Sequence, residues 1–287
     1  MEDKIGNEKY INETLKKNNL HAKKKFGQNF LTNERILDSI IDLSEVDKDT
    51  LVIEVGAGLG SLTERILKRA GFLVSYEIDP DLIPILNDNF KDYDNFKLIN
   101  EDILNIDINE DIKKYQGNLS KVYMVSNLPY YITTPIIIGM LEKTDKIKRY
   151  VMMMQKEVAL RLTGKPNTKD YAEISVAIKY RGDSKIILNV PRTAFIPAPN
   201  VDSSVIAIDL YESKRYFPKD EKLFFEITRI AFNQRRKTLL NNLSTKYKKE
   251  VILKMIKDLG YKDAIRAEEL TIDDFIKISD YMGDNNA

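Results

Sequence analysis

Apolar residues along this chain alternate between two periods. Mostly apolar runs of strand length, several rich in β-branched residues, fall at 51–55, 72–76, 96–100, 122–125 and 149–154. Short runs bounded by turn residues predict buried strands, the kind found in parallel sheets. Segments with helical spacing lie beside them. Ser61-Leu62-Thr63-Glu64-Arg65-Ile66-Leu67 is one. Asn33 caps another, with Glu34 in its first turn and Ile36, Leu37, Ile40 and Ile41 on one face. The three methionines at 152–154 read as sheet core. A helix beginning near Lys156 is broken by a polar loop at 164–169. The apolar segments 170–180 and 203–210 are expected to complete a mixed sheet. Between them Pro191, Pro197 and Pro199 stiffen a loop that holds Phe195, which reads as a plug at the core edge. From Tyr216 onward the spacing is helical, with Leu223, Phe224, Ile227, Ile230 and Ala231 in phase. With a linker at 214–218, the pattern predicts an α/β domain over 1–211 and a small all-α domain over 212–287.

The ends of the predicted strands carry the candidate chemistry. The first runs into Gly56-Ala57-Gly58-Leu59-Gly60 and then a helix. Glycines there allow positive φ and close approach of a ligand to the backbone. The spacing G-x-G-x-G differs from the G-x-G-x-x-G of dinucleotide enzymes. The second strand ends in Glu77-Ile78-Asp79, with Glu77 about twenty residues past the first glycine, where a carboxylate binds a ribose hydroxyl pair. The third ends at Glu101-Asp102-Ile103. Asp102 is placed to accept from an adenine amino group, with Ile78 and Ile103 covering the ring. After the fourth comes Asn127-Leu128-Pro129-Tyr130. Pro129 stops the strand and stiffens the turn. An amide oxygen and a backbone carbonyl each accept one N–H, while Tyr130 offers a ring face, a set that suits a flat, neutral base with an exocyclic amine. Open α/β sheets bind ligands at this edge, and four such loops in this order form one site.

Charge narrows the partner. Lys and Arg total 45 against 44 Asp and Glu, so any nucleic-acid surface must come from segregated charge. Segregation is present. Lys16, Lys17, His21, Lys23, Lys24 and Lys25 form a basic arm. Arg229, Arg235, Arg236, Lys237, Lys246, Lys248 and Lys249 form a second run without an intervening acid. Acids collect instead at Glu268, Glu269, Asp273 and Asp274. Lys23, Lys24, Lys25, Arg235, Arg236 and Lys237 are the candidate phosphate contacts. With no cysteine, a disulfide framework, a thiolate metal site and a cysteine nucleophile are all excluded. No metal is expected. The longest apolar runs are strand-sized and the N-terminus is charged, so neither a membrane span nor a signal peptide is expected, and a cytoplasmic monomer fits.

Seven motifs in order make the chain resemble the rRNA adenine N6-dimethyltransferases. They are Lys24-Lys25-Phe26-Gly27-Gln28-Asn29-Phe30-Leu31, Glu54-Val55-Gly56-Ala57-Gly58-Leu59-Gly60, Tyr76-Glu77-Ile78-Asp79, Asn127-Leu128-Pro129-Tyr130, Gln155-Lys156-Glu157-Val158-Ala159, Pro197-Ala198-Pro199-Asn200-Val201-Asp202-Ser203 and Phe232-Asn233-Gln234-Arg235-Arg236-Lys237-Thr238-Leu239. The match runs from about Leu20 to the C-terminal helices, and the last two motifs point to the 16S branch. The resemblance implies a Rossmann-like domain with a mostly parallel seven-stranded sheet and a helical RNA-binding domain. It implies S-adenosyl-L-methionine as methyl donor, held by Asn29, Leu31, Gly56, Glu77, Asp102 and Asn127. It makes Phe195 the second aromatic against the target base, beside Tyr130. It implies as substrate two adjacent adenines in the 3′-terminal hairpin of 16S rRNA in the small ribosomal subunit. Methylation of 23S rRNA conferring antibiotic resistance is the near alternative, and a non-catalytic RNA-binding assembly factor the distant one.

The residues account for such chemistry. The donor is already activated, so alignment is the main task. An adenine N6 lone pair is delocalised into the ring and nucleophilically weak. Acceptance of its hydrogens by Asn127 Oδ1 and the Pro129 carbonyl favours a more pyramidal nitrogen and stabilises the positive charge that develops there. No strong base is required, because the methylated ammonium is acidic. Both contacts cannot persist for a monomethylated amine, so the pocket must tolerate one missing donor.

Overall fold

In a computed structural model the chain is described over residues 5–23 and 26–285. Lys24 and Lys25 lie outside the described residues. Helix α1 spans Glu8–Lys17, capped by Asn7, whose Oδ1 accepts from the Tyr10 N–H. Short strand β1 is Phe30–Leu31 and helix α2 is Glu34–Ser44. Asn33 Oδ1 caps α2 through the Ile36 N–H, as its sequence predicts. Strand β2 (Thr50–Val55), helix α3 (Ser61–Arg69), strand β3 (Phe72–Tyr76), helix α4 (Ile83–Phe90), strand β4 (Phe96–Ile99), helix α5 (Ile108–Tyr115), strand β5 (Lys121–Asn127), helix α6 (Thr133–Lys143) and strand β6 (Arg149–Gln155) follow in strict alternation. Then come helices α7 (Lys156–Leu162) and α8 (Glu173–Arg181), strands β7 (Gly182–Val190), β8 (Phe195–Ile196) and β9 (Ser203–Leu210), and helices α9 (Glu221–Ala231), α10 (Leu239–Leu243), α11 (Lys249–Asp258) and α12 (Ile272–Asp284).

Seven strands form one sheet in the order β4-β3-β2-β5-β6-β9-β7. The pairings β4–β3, β3–β2, β2–β5 and β5–β6 are parallel, and β9 runs antiparallel to β6. Every residue of β2 is buried, the condition that selects a continuous apolar run over an alternating one. The carboxyl ends of β2, β3, β4 and β5 therefore lie along one edge. A separate antiparallel pair joins β1 to β8, with Leu31 opposite Phe195. The methionines of β6 are buried in the sheet as expected.

The expected strand at 170–180 is instead α8, and the sheet is closed by β7, over residues outside that expected strand. Ile174, Val176, Ile178 and Tyr180 alternate with period two, but packing overrides that pattern. Val176 and Tyr180, four apart on a helix, bury together in a cluster with Phe224 and Ile227. The Ser175 hydroxyl fixes the start of the helix by donating to the Arg161 carbonyl and accepting from the Ala172 N–H.

The chain divides into two compact units, 1–159 with 185–210 and 160–184 with 211–287. The division is not the single break expected after 211. Residues 160–184 belong to the helical unit because Tyr171, Val176 and Tyr180 are part of its core.

Candidate active site

A cleft opens at the carboxyl edge of the sheet, lined by the ends of β2 to β5 and by residues 26–31. Asn29, Leu31, Gly56, Glu77, Asp102, Asn127, Pro129 and Tyr130 all line it. Residues as far apart in the chain as Asn29 and Tyr130 thus meet where their strand ends predict.

The glycine turn shapes the floor. Gly58 has φ +60°, and its N–H donates to Glu77 Oε2 at 2.9 Å. Glu77 Oε1 accepts from the Asp79 N–H, also at 2.9 Å. Each carboxylate oxygen keeps a further lone pair, so the group is pinned without being saturated. Glu77 is only 5 % exposed, and burial raises its pKa, the backbone N–H groups of Asp79, Gly58 and Ile78 opposing that rise. Asp102 stands at the next strand end, where its Oδ1 accepts from the Leu104 N–H at 3.0 Å. Ile78 is exposed and Ile103 buried, and both line the cleft as apolar walls for a ring. A buried carboxylate with free lone pairs, a turn of bare backbone and flanking apolar walls fit the adenosyl half of the expected cofactor.

Asn127 closes β5, in register with Met153 of β6. Among the described residues its amide has no protein partner. The Leu128 N–H donates to the Met153 carbonyl at 3.1 Å and carries the turn off the sheet. The Pro129 carbonyl accepts from Thr133 Oγ1 at 2.9 Å and from the Ile132 N–H at 3.3 Å. The Tyr130 hydroxyl lies 2.6 Å from Ser203 Oγ, which fixes the ring, and burial raises the pKa of its phenol.

Several expected residues are placed differently. Phe195 is 3 % exposed, belongs to the hydrophobic core and does not line the cleft. Lys23 is engaged by Asp79 at 2.6 Å and by Asp81. It ties the arm to the end of β3 and is not free for phosphate. Gln28 joins it, its Nε2 donating to Asp79 Oδ2 at 2.7 Å. Burial pushes the Asp79 carboxyl upward, but the bonds from Lys23 and Gln28 outweigh it and leave its pKa lowered. Arg235, Arg236 and Lys237 are exposed on the turn between α9 and α10, outside any helix. Arg235 is drawn inward to Glu268 at 3.0 Å and to the Thr168 carbonyl, while Arg236 and Lys237 have no ion pair among the described residues. His21 is an exposed arm residue, as expected.

Tyr131, Thr133 and Ser203 join the site in addition to the expected residues. Tyr131 lines the cleft at 52 % exposure, and burial and the nearby Asp102 and Glu77 raise its pKa. Thr133 had a legible signal, a hydroxyl four residues after a strand-ending carbonyl at a helix start.

Fold, cleft and donor set together define an S-adenosylmethionine-dependent methyltransferase. A family model described as ribosomal RNA adenine dimethylase matches residues 19–284, and the chain belongs to that family. The ribosomal RNA small subunit methyltransferase A of Streptococcus mutans is 43 % identical over 284 residues, 97 % of this chain and 98 % of that one. The same-named protein of Streptococcus thermophilus is 41 % identical over 273 residues, 93 % of this chain and 94 % of that one. Among solved structures, a dimethyladenosine transferase from Plasmodium falciparum superposes with a TM-score of 0.73 at 24 % identity, covering 89 % of this chain and 98 % of that one. The 23S rRNA methyltransferase ErmE gives 0.68 at 22 % identity, covering 89 % and 100 %. At those identities the two structures speak for the fold alone.

Proposed function

We propose that this chain dimethylates N6 of two adjacent adenosines in the 3′-terminal hairpin of 16S rRNA, in the small ribosomal subunit or its precursor. The observation that carries the reading is the pairing at the end of β5. An amide with no protein partner and a strand-ending carbonyl line one cleft beside a ring held by its hydroxyl. The names of the relatives from the two streptococci support the choice of subunit.

Glu77 holds the ribose hydroxyls of the donor, Asp102 its adenine amine, and Asn29, Leu31, Gly56 and Asn127 the remainder. When bound, the donor supplies a methyl group on a sulfonium centre. Tyr130 stacks on the target base. Asn127 Oδ1 and the Pro129 carbonyl receive the N6 hydrogens and stabilise the charge that develops on nitrogen. Because the carbonyl already accepts from Thr133, Asn127 is the stronger of the two acceptors. Arg236 and Lys237 are the phosphate contacts that remain unpaired in the helical unit.

A methyl-transfer assay on immature small and large subunits, with mass mapping of methylated adenines, tests the reading. Dimethyladenosine in 16S rRNA is the expected result. Label in 23S rRNA alone would move the substrate to the other subunit, and RNA binding without label would leave only an assembly factor.

A further inference from the structure

The Pro129 carbonyl is hydrogen-bonded before any substrate arrives. Thr133 Oγ1 reaches it at 2.9 Å, and the Ile132 N–H makes a longer contact at 3.3 Å. Thr133 opens α6, is 2 % exposed and does not line the cleft, whereas Pro129 and Asn127 do. Its hydroxyl therefore grips the carbonyl from outside the opening. A carbonyl oxygen has two lone pairs, and the 3.3 Å contact from Ile132 is the weaker of the two, so a donor from the cleft can take its place while Thr133 holds the other. The Asn127 amide has no comparable support among the described residues.

This difference matters only once the first methyl is in place. An unmodified adenine amine has two N–H groups for two acceptors. The monomethylated amine has one, so one acceptor must face a methyl group. A buried acceptor deprived of its donor carries the full desolvation cost. Asn127 Oδ1 would bear that cost, and the Pro129 oxygen would not, because Thr133 already satisfies it.

We propose that Thr133 is a positioning residue that sets product specificity. It keeps the Pro129 carbonyl hydrogen-bonded while the surviving N–H stays on Asn127, and so admits N6-monomethyladenine for the second transfer. The proposal rests on the reading of this cleft as an adenine N6 site. In each transfer the amine lone pair forms the new N–C bond as the methyl–sulfur bond breaks. Sulfur keeps the bonding pair, and a proton leaves the nitrogen for water. The two rounds differ only in the hydrogen lost from the Pro129 side.

The test compares the full-length wild type with Thr133→Val, Thr133→Ala and Thr133→Ser. The ratio of monomethyl- to dimethyladenosine is followed by mass spectrometry on immature small subunits. In parallel, affinity is measured for the target hairpin RNA, unmodified and carrying N6-monomethyladenosine. Donor titration establishes that each variant is folded, with alanine standing in if valine is not accommodated. In the valine and alanine variants the Pro129 carbonyl keeps only the long Ile132 contact, so monomethyladenosine should accumulate, with the second transfer slowed relative to the first by about tenfold, the scale of one lost hydrogen bond. The same variants should discriminate against the monomethylated hairpin, and serine should restore the wild-type ratio. Wild-type ratios in both hydroxyl-free variants, or failure of serine to restore them, would overturn the proposal. A wild-type protein that leaves adenine unmethylated would overturn the underlying reading, an outcome visible before any variant is compared.

Discussion

Asn127 has no substitute in the cleft, since the other acceptor is a backbone carbonyl already engaged by Thr133. Asn127→Ala should therefore slow methyl transfer by roughly two to three decades, the loss typical of one preorganised charge-stabilising contact. RNA affinity should stay near wild type. Single-turnover rates beside RNA binding curves decide this, and near-normal turnover would remove Asn127 from the mechanism. Glu77 tests the donor half. Glu77→Ala should weaken donor binding by about 1.5–3 kcal/mol, the scale for hydrogen bonds to a charged group, with Glu77→Gln between it and wild type. Calorimetric titration is the measurement, and unchanged affinity would move the ribose site away from the end of β3. Both residues were legible because each stands where an apolar run stops, Glu77 directly after Tyr76 and Asn127 separated from Val125 by Ser126 alone. Ser203 was not. Its role is to hold the Tyr130 hydroxyl across 73 residues of sequence, and nothing local to either position encodes that contact.

The strand–turn–helix unit formed by β2, the glycine turn and α3 sets the floor of the site, and two changes probe it. Gly60 has φ +89°, and a Cβ there would lie 2.7 Å from the Phe90 ring. Gly60→Ala combines backbone strain with overpacking and should lower the melting temperature by roughly 5 °C or more. A variant melting with the wild type would show that the turn relaxes freely. Glu54, in β2, is 1 % exposed, and its Oε2 accepts from Thr63 and Ser75, each at 2.8 Å. Burial pushes its carboxyl up from the ordinary 4.5 to about 7, with a smaller push from Glu77. Between those values the folded protein keeps a proton that the unfolded chain has released. Its contribution therefore favours folding at low pH and is lost as pH rises through about 7. Glu54→Gln should melt above wild type at pH 8 and converge with it near pH 5. A constant difference across that range would contradict the assignment. At this scale the parallel strands were readable, since burial on both faces leaves runs that are mostly apolar. The exchange of strand and helix at α8 and β7 was not, because Val176 and Tyr180 owe their helical state to the α9 residues packed on them.

Across the whole molecule a near-zero balance of charge makes any RNA surface depend on how many of its clustered cations stand without a carboxylate partner. Clusters visible in sequence overstate that number. Lys23 and Arg235 have carboxylate partners, which no count of basic residues reveals. Replacing Arg236 and Lys237 together by alanine should weaken subunit binding and reduce its salt slope by about 0.7–0.9 per lost phosphate contact. Donor affinity should be untouched. Affinity across a salt series beside donor titration decides this, and an unchanged slope would place the RNA face elsewhere.

The interleaving of the two units constrains how the protein can be made. Residues 160–184 are synthesised before 211–287, yet most of their apolar partners lie in that later stretch. At ordinary elongation rates of roughly 5–20 residues per second, Tyr171, Val176 and Tyr180 wait for seconds with no core to enter. A nascent chain paused in that interval presents a greasy amphipathic segment from the middle of an otherwise competent domain. It is there that a holding chaperone would find its grip, and there that a premature stop codon would yield an aggregate in place of a shortened enzyme.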